Sequence, residues 1–370
     1  MNISLRFFLL PLVLLPFFWD FYIFGFKIFD VLSFSLAIFS LIFIKKTDFK
    51  EVNKTNIIIF LCFFLFFNFI GLIINIDLKG FIGITMGMVY FYLLCLYFNK
   101  QDVKRYSFYV LIILLGSWFL QFATIILFDN PINYHAFVGD APRIQNGMGY
   151  RTAGLFLEPT SHCAMMFIVI STRFIFQSFT KYEFIGILSM ILSFSLYGVF
   201  ASIILIGFWS FYKLRSAFLI YAVLFIFAIR FTFFFQNLDY ATGELQIANL
   251  QERILSLSSD ASVQARYSPE NVFNRSLLEV LFGSGLTALG ENHAYGSSGL
   301  GVLISGLGLI GFFLFLLLII NLYKRSIFLI VSSILVILMS SSYITYLVFW
   351  VWLAWMYVIV TPENIDEAAS

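Results

Sequence analysis

Apolar runs of about 17–20 residues recur from one end of the chain to the other, and a helix needs this length to cross a hydrocarbon core about 30 Å thick. Of the 370 residues, 61% are hydrophobic and only 11% are charged. A soluble domain carries about 25% charged residues, so this chain has too little polar surface for one. We therefore expect an all-α integral membrane protein in which residues 1–370 form a single polytopic membrane domain.

The apolar runs define about twelve candidate transmembrane helices. In chain order they are Phe7–Phe24, Ile28–Ile44, Ile57–Asn75, Phe81–Phe98, Tyr106–Phe128, Thr160–Phe179, Phe184–Leu196, Gly198–Phe211, Ala217–Phe235, Gly299–Leu322, Ile327–Ser341 and Ile344–Val360. We expect the first run to be a span and not a removable signal, because it lacks a small-residue cleavage site and more spans follow it.

Lysine and arginine concentrate in cytoplasmic loops near helix ends, which orients the spans. The basic clusters are Lys45, Lys46, Lys50 and Lys54, then Lys100, Lys104 and Arg105, then Lys181, then Lys213 and Arg215, then Lys324 and Arg325. These clusters share a face with Arg6 only if Phe184–Phe211 crosses the membrane twice. We therefore predict two short helices, or a re-entrant pair, that bend around Ser193-Phe-Ser195, with both termini cytoplasmic.

The opposite face has two long loops, residues 129–159 and 236–298, which contain no lysine. Arginine binds phosphate oxygens in pairs and tolerates partial desolvation, so an all-arginine set at the membrane surface suggests a phosphate-bearing ligand. The alternative is that these arginines pair with nearby acidic residues. The loop arginines are Arg143, Arg151, Arg253, Arg266 and Arg275.

The second loop contains two candidate helices. Leu245–Leu257 has an apolar stripe at helical spacing, which fits a helix along the membrane interface. Ser268-Pro-Glu270 predicts the start of another helix, with Ser268 as the N-cap. That helix is expected to run to about Phe282 and to stop at Gly283.

Two residues at the loop ends are candidate proton acceptors. Glu158 precedes Pro159, so it lies at the N-terminal end of the sixth span. It is either a helix cap or a carboxylate that binds sugar hydroxyls or acts as a base. His293, a few residues before a later span, is either an ordinary polar loop residue or a neutral imidazole able to activate an alcohol.

The sequence lacks the motifs that several common classes of enzyme require. No Gly-rich loop followed by Gly-Lys-Ser/Thr occurs, and no Asp-x-Asp pair is present to bind a divalent metal. The three cysteines, Cys62, Cys95 and Cys163, fall within or beside apolar runs, which argues against a disulfide framework or a zinc site. We expect no metal, no cofactor and no nucleic-acid partner. The glycines between Gly299 and Gly311 are interpreted as helix-packing positions.

Segments at the two loop ends carry a family resemblance. Arg151–Thr160 reads R-T-A-G-L-F-L-E-P-T, and Arg143 and Gly154 are separated by ten residues. Both features are similar to those of Wzy-type O-antigen polymerases and, more distantly, of the O-antigen ligases grouped with them. The second match is spread over Ser262–Arg266, Leu281–Leu286, Asn292-His293 and Leu309–Phe312.

The resemblance implies a GT-C-like membrane fold and glycosyl transfer at the periplasmic face of the bacterial inner (plasma) membrane. The growing glycan would leave its undecaprenyl diphosphate carrier and join a sugar hydroxyl of an incoming lipid-linked repeat. Undecaprenyl-diphosphate-linked oligosaccharide would be both donor and acceptor, and membrane lipid and a chain-length regulator would be further partners. The product would be O-antigen or capsular polysaccharide.

The resemblance also assigns roles to residues. Arginines would stabilise the departing diphosphate without a metal, and single displacement would invert the anomeric carbon. Glu158 or His293 would accept the hydroxyl proton. The expected diphosphate ligands are Arg266 and Arg151 first, then Arg143 and Arg275.

Two other functions stay open. An O-antigen ligase would transfer glycan to lipid A-core; ligases show His-Asn-x-Tyr where this chain has Asn-His-Ala-Tyr from Asn292. A transporter or lipid flippase would carry ionisable residues and broken helices at mid-membrane. Here the charges lie almost entirely outside the spans, and the main exception, Arg173, is expected to snorkel to the cytoplasmic face.

Overall fold

The computed structural model describes residues 11–18, 22–23, 26–43, 54–75, 78–128, 130–135, 145–146, 149–150, 152–176, 180–214, 276–286, 299–323, 330, 333–334 and 347–360. These residues are predominantly helical. The helices are α1 (Ile28–Phe43), α2 (Lys54–Asn75), α3 (Leu78–Tyr97), α4 (Lys100–Phe128), α5 (Pro159–Ile175), α6 (Lys181–Leu192), α7 (Leu196–Leu214), α8 (Leu277–Phe282), α9 (Gly299–Leu322) and α10 (Leu347–Val360), with a 3-10 helix at Leu15–Phe18.

Two small antiparallel hairpins accompany the helices. In the first, β1 (Tyr22–Ile23) pairs with β2 (Phe26–Lys27). In the second, β3 (Gln145–Asn146) pairs with β4 (Gly149–Tyr150), with Gln145 opposite Tyr150. The second hairpin lies within the loop that joins α4 to α5.

Four helical stretches in the described part of the chain are long and apolar enough to cross a membrane: Thr55–Ile74, Gly80–Tyr97, Lys100–Phe128 and Leu303–Leu322. Their outer faces expose large apolar side chains, including Phe66, Phe119 and Phe313, each more than 60% exposed. Such surfaces suit a hydrocarbon environment, in which helices satisfy their own backbone hydrogen bonds. The fold is therefore that of a membrane-embedded protein, consistent with the expected all-α class.

The first predicted span, Phe7–Phe24, is wrong at its C-terminal end, because Tyr22 and Ile23 form β1 and not helix. Aromatic and β-branched residues favour strands when a partner strand is close in sequence. The predicted span Ala217–Phe235 and the predicted interfacial helix Leu245–Leu257 lie outside the described residues. Within the predicted span Ile327–Ser341, the structure describes only residues 330 and 333–334, which are helical.

The predicted break at Ser193-Phe-Ser195 is confirmed. Helix α6 ends at Leu192 and α7 begins at Leu196. Between them Phe194 has a φ of +50°, a left-handed conformation that an L residue seldom adopts and that cannot continue a right-handed helix. The long apolar run is therefore two helices.

The chain forms two compact units. The first unit contains residues 1–19, 29–106 and 265–370. Its central helix is α10, which is buried from Leu347 to Ile359 and packs mainly against α3. Trp350 fills the contact: its ring centroid lies 5.2 Å from that of Phe64, and its ring lies directly against Gly87. A helix that is apolar and buried on all sides belongs to the core.

The second unit contains residues 20–28 and 107–264. Its central helix is α5, which is buried from Ser161 to Phe174 and packs against α6 and α7. In contrast to α10, this helix carries buried polar side chains, and its N-terminal end carries Glu158. The second unit therefore positions the part of the predicted site that the structure describes.

Candidate functional site

The segment before α5 is fixed to α4 by Gln121, whose side chain is only 1% exposed. Its Oε1 accepts hydrogen bonds from the backbone amides of Ala153 (2.7 Å) and Gly154 (2.9 Å). Its Nε2 donates to the carbonyl of Ile132 at 3.1 Å. One buried side chain thus joins the beginning and the end of the loop between α4 and α5, and uses both ends of its amide to do so.

Further hydrogen bonds attach this loop to α4 and α6. Trp118 Nε1 donates to Thr152 Oγ1 at 2.8 Å, and that hydroxyl donates to the carbonyl of Leu192 at 3.4 Å. The Tyr134 hydroxyl donates to the carbonyl of Ser117 at 2.9 Å, and burial raises the pKa of the Tyr134 phenol.

A histidine of the same loop also contributes. His135 Nε2 lies 2.8 Å from the carbonyl of Leu155; because the carbonyl can only accept, this nitrogen carries the hydrogen. The His135 side chain is itself buried. Residues 152–157 are consequently anchored at several points before the chain enters α5.

Position 154, in the segment that resembles the polymerases, requires a glycine because of its backbone conformation and close packing. Its φ is +58°. A Cβ on Gly154 would lie 3.2 Å from Ser117 Oγ and 3.3 Å from His162 Nδ1. Glycine therefore allows both the left-handed turn and its close packing on α4 and α5.

Glu158 is the N-cap residue of α5, with an extended backbone (φ −129°, ψ 141°). Its carbonyl accepts hydrogen bonds from the amides of Ser161 (3.1 Å) and His162 (3.3 Å), while its side chain makes no capping hydrogen bond. The alternative that the carboxylate acts as the side-chain cap of this helix is therefore wrong. The half-buried carboxylate stands at the N-terminal end of α5, on backbone that the loop contacts fix.

His162, one helical turn after Glu158, was not among the predicted site residues. Its Nε2 lies 3.1 Å from Ser189 Oγ, and that hydroxyl donates to the carbonyl of Gly186 at 2.8 Å. The serine proton is thereby used, so His162 Nε2 carries a hydrogen and donates, and Nδ1 holds a lone pair. Within the described residues Nδ1 has no hydrogen-bond partner. The four-residue spacing from Glu158 is the sequence signal that would have found it.

The other predicted site residues lie outside the described residues. Two of them are next to described residues in the sequence: Arg151 precedes Thr152, and Arg275 precedes Ser276, the N-cap of α8. The residues outside are Arg143, Arg151, Arg266, Arg275 and His293.

The predicted helix from Ser268 to about Phe282 is interrupted at Ser276, which is the non-helical N-cap of the shorter helix α8. Residues 268–275 lie outside the described residues, and the predicted stop at Gly283 is confirmed. Helix α8 begins at Leu277, and Ser276 and Glu279 form a capping box in which each side chain accepts the other residue's amide hydrogen at 3.3 Å. It stops at Gly283, which has a φ of +76°.

Residues 284–286, which belong to a segment that resembles the polymerases, bond to α9 and α2 in the first unit. The amides of Ser284 and Gly285 donate to the carbonyls of Ser305 (3.1 Å) and Gly306 (2.9 Å) in α9. The amide of Leu286 donates to the carbonyl of Phe67 in α2 at 3.3 Å. Gly308, one of the glycines interpreted as helix-packing positions, is itself non-helical (φ 67°, ψ 174°) and interrupts α9.

The expected snorkelling of Arg173 is wrong. Its side chain is 6% exposed and forms an ion pair with Glu183, which is fully buried. The guanidinium also lies 4.9 Å from the centre of the Phe108 ring, and the Glu183 carboxylate accepts the Thr180 amide hydrogen at 2.6 Å. Arg173 thus joins α5 to α6 inside the protein.

No protein-family model matches this chain, and no curated protein matches its sequence.

Proposed function

We propose that this chain polymerises undecaprenyl-diphosphate-linked oligosaccharide repeats into O-antigen or capsular polysaccharide. The observation that carries the proposal is the position of Glu158: a half-buried carboxylate, not engaged as a side-chain cap, at the start of a buried helix. The backbone beside it is held by Gln121 and Trp118. An anchored backbone limits the reorganisation needed to bring the carboxylate to a substrate hydroxyl, which favours general-base catalysis.

In the proposed reaction the acceptor sugar hydroxyl gives its proton to Glu158, with His293 as the alternative base. The hydroxyl oxygen forms a bond to the anomeric carbon of the donor as the bond from that carbon to the diphosphate breaks. Undecaprenyl diphosphate leaves with the electron pair, and single displacement inverts the anomeric centre. The proposed diphosphate ligands are Arg266 and Arg151, then Arg143 and Arg275, which stabilise the negative charge without a metal.

The proposal includes about twelve spans in a GT-C-like arrangement in the bacterial inner membrane. Both termini face the cytoplasm, and the site faces the periplasm. The positions of the lysines support this orientation, because basic clusters mark cytoplasmic loops while the loops at residues 129–159 and 236–298 contain no lysine.

A transporter or lipid flippase is the second candidate, and one observation favours it. Helix α9 is broken at Gly308, and discontinuous helices form substrate sites in many transporters. In this chain, however, the Ser305 and Gly306 carbonyls beside the break accept hydrogen bonds from Ser284 and Gly285, which pairs the backbone within the protein. An O-antigen ligase differs from the proposed polymerase only in its acceptor, lipid A-core.

Lipid-linked and lipid A-linked glycans from a strain that lacks the protein separate these functions. If the protein is a polymerase, the strain without it carries only single repeats on lipid A-core and no longer glycans. For a ligase, all attached glycan disappears while polymer persists on undecaprenyl diphosphate. For a flippase, repeats accumulate on undecaprenyl diphosphate at the cytoplasmic face. The second or third pattern would refute the proposal.

A further inference from the structure

Residues 276–286 belong to the loop predicted to lie outside the membrane, yet they lie against apolar helices of the first unit. The amide of Leu286 donates to the carbonyl of Phe67 in α2 at 3.3 Å. Phe67 is eight residues before the end of α2 at Asn75, which corresponds to about 12 Å of helix. Leu286 therefore contacts α2 well inside the stretch that is long and apolar enough to cross a membrane.

The contact with α9 lies at a similar distance from the end of its helix. The amides of Ser284 and Gly285 donate to the carbonyls of Ser305 (3.1 Å) and Gly306 (2.9 Å). Ser305 is six residues after the start of α9 at Gly299, which corresponds to about 9 Å of helix. The loop segment therefore reaches past the ends of both helices.

These two helix ends lie on the same face, because α2 and α9 are antiparallel. The ring centroids of Phe64 and Phe315 are 5.7 Å apart, and a Cβ on Gly311 would lie 2.7 Å from the ring of Phe67. The contacts therefore advance along α2 while they go back along α9. Residues 284–286 consequently lie about 9–12 Å below the face at which α2 ends and α9 begins.

The backbone of this segment is paired as hydrocarbon requires. Four successive amides, those of residues 283–286, donate to carbonyls of the protein, the first of them to Glu279 at 2.8 Å. The Ser284 hydroxyl also donates to the Ser305 carbonyl, at 3.4 Å. Residues 284–286 are buried. Non-helical backbone is tolerated at membrane depth only where the protein buries it and satisfies its hydrogen bonds.

Glycines bring this segment into direct contact with the helices. A Cβ on Gly285 would overlap the backbone of Gly71 in α2, and a Cβ on Gly283 would overlap the carbonyl of Gly306 in α9. Small residues allow such close approach between segments inside a membrane. The segment is therefore packed between two helices as part of the first unit.

Helix α8, which precedes this paired segment, exposes large apolar side chains. Leu277, Leu278 and Phe282 are 73%, 69% and 56% exposed. The helix packs on α9, whose own exposed side chains include Phe313, so the two apolar surfaces adjoin. The capping box of Ser276 and Glu279 keeps the polar residues of α8 in its first turn. An apolar surface of this kind suits contact with hydrocarbon.

We propose that residues 276–286 re-enter the membrane and that Leu277, Leu278 and Phe282 contact the acyl chains of the bilayer. The capping box then lies at the level of the lipid headgroups, and the six residues of α8, about 9 Å of helix, lead to the depth of the paired segment. A re-entrant segment leaves the membrane on the side where it entered, so the predicted orientation of the spans is unchanged. The inference does not depend on the proposed glycosyl transfer.

Spin labels on the full-length protein in nanodiscs test the insertion. In a background with the three native cysteines replaced, Leu278→Cys and Phe282→Cys carry the label, and its collisions with oxygen, which concentrates in hydrocarbon, and with a water-soluble nickel chelate are measured. Phe313→Cys is the lipid-facing control and Gln101→Cys, on an exposed residue of α4, the aqueous control. We expect oxygen-to-nickel ratios close to that of Phe313→Cys and several-fold above that of Gln101→Cys.

Two other outcomes overturn the proposal. Nickel collisions as frequent as at Gln101→Cys would place α8 in water. Infrequent collisions with both reagents would show that protein, from the same chain or a second copy, covers the apolar face of α8.

Carbene labelling of the unsubstituted protein tests the same contact without any variant. An apolar photoactivated reagent dissolved in the bilayer should label residues 277–282 as well as the exposed face of α9. Label on α9 without label on residues 277–282 would contradict the insertion of α8.

Discussion

At the scale of single residues, the second unit combines a carboxylate, Glu158, with the side chains that hold its backbone. Gln121 accepts hydrogen bonds from two amides of the loop and donates one to a carbonyl, and the His162 ring lies close to Gly154. Gln121 is buried, and burying a polar side chain is costly unless it is hydrogen-bonded. Substituting one of these side chains should therefore cost stability or activity, so each residue's role can be tested with a single variant.

Replacing Glu158 by glutamine should remove the proton acceptor while it preserves shape. A general base contributes about 10²–10⁴-fold to rate, so we expect kcat for lipid-linked repeats to fall by about that factor. Glu279→Gln, on exposed α8, is the matched control and should leave kcat within a few-fold of wild type. His293→Gln is the competing variant. If Glu158→Gln turns over normally and His293→Gln is inactive, the histidine carries the proton transfer.

Acidification distinguishes the two bases independently. If a histidine of ordinary pKa, near 6.5, accepts the proton, activity should fall as the pH drops through that value, because imidazolium cannot act as a base. With Glu158 as base, we expect no fall of kcat from imidazole protonation near pH 6.5, and His293→Gln should leave the pH profile of kcat unchanged. Loss of wild-type kcat through pH 6.5 would point to His293.

Gln121→Leu should destabilise the second unit, because it leaves the buried amides of Ala153 and Gly154 without their acceptor. Each unpaired buried group costs about 1–3 kcal/mol. We expect a lower midpoint of thermal unfolding in detergent, together with lower activity. Gln101→Leu changes an exposed residue of the same helix and should leave the midpoint near that of wild type. Equal effects of the two variants would show that Gln121 does not anchor the loop.

At the scale of helices, α5 and α6 are joined by the buried pair of Arg173 and Glu183. Removing one partner of a buried pair leaves an uncompensated charge, whereas replacing both by apolar residues is often tolerated. The Thr180 capping box at the start of α6 uses the same carboxylate, so Glu183 serves both the helix start and the contact between helices.

Glu183→Gln should therefore lower the free energy of unfolding by about 3–5 kcal/mol. The double variant Arg173→Met and Glu183→Leu should be less destabilised than Glu183→Gln, since no buried charge is left unpaired. Thermal unfolding in detergent measures both. If the double variant is the less stable of the two, the ion pair contributes net stability and this argument is wrong.

At the scale of the whole molecule, the question is which loops face which side of the membrane. The lysine positions predict that both termini and Lys213 lie in the cytoplasm and that Asn146 and Ser258 lie outside. The confirmed separation of α6 from α7 permits the two crossings that this orientation requires.

Cysteine labelling with an impermeant reagent on intact cells tests the topology. In a background with Cys62, Cys95 and Cys163 replaced, Asn146→Cys and Ser258→Cys should react, while Ser210→Cys should react only after the cells are opened. Cys62 must be replaced because it is exposed. Labelling of Ser210→Cys from outside would mean that residues 184–211 cross the membrane once.

Local sequence determined the helices, because length and continuous apolarity are properties of a single segment. The bounds predicted for Gly299–Leu322 match α9, and the polar interruption at Ser193-Phe-Ser195 matches the end of α6. The start of α8 also has a local signal, because Ser276 and Glu279 have the spacing of a capping box, whereas the predicted start at Ser268 lies outside the described residues. The position of Glu158 at a helix start followed from Pro159 alone.

Only the tertiary structure decided which of these groups act together. Gln121 and Ala153 are 32 residues apart, and Ser284 and Ser305 are 21 residues apart. Neither pairing can be predicted from the sequence pattern of a single segment. The sequence alone predicts that Arg173 snorkels, whereas in the structure α6 places Glu183 beside it and the two form an ion pair. Apolar burial is nondirectional and constrains each helix separately, whereas a buried hydrogen bond requires two particular atoms to meet, and that meeting depends on how the helices pack.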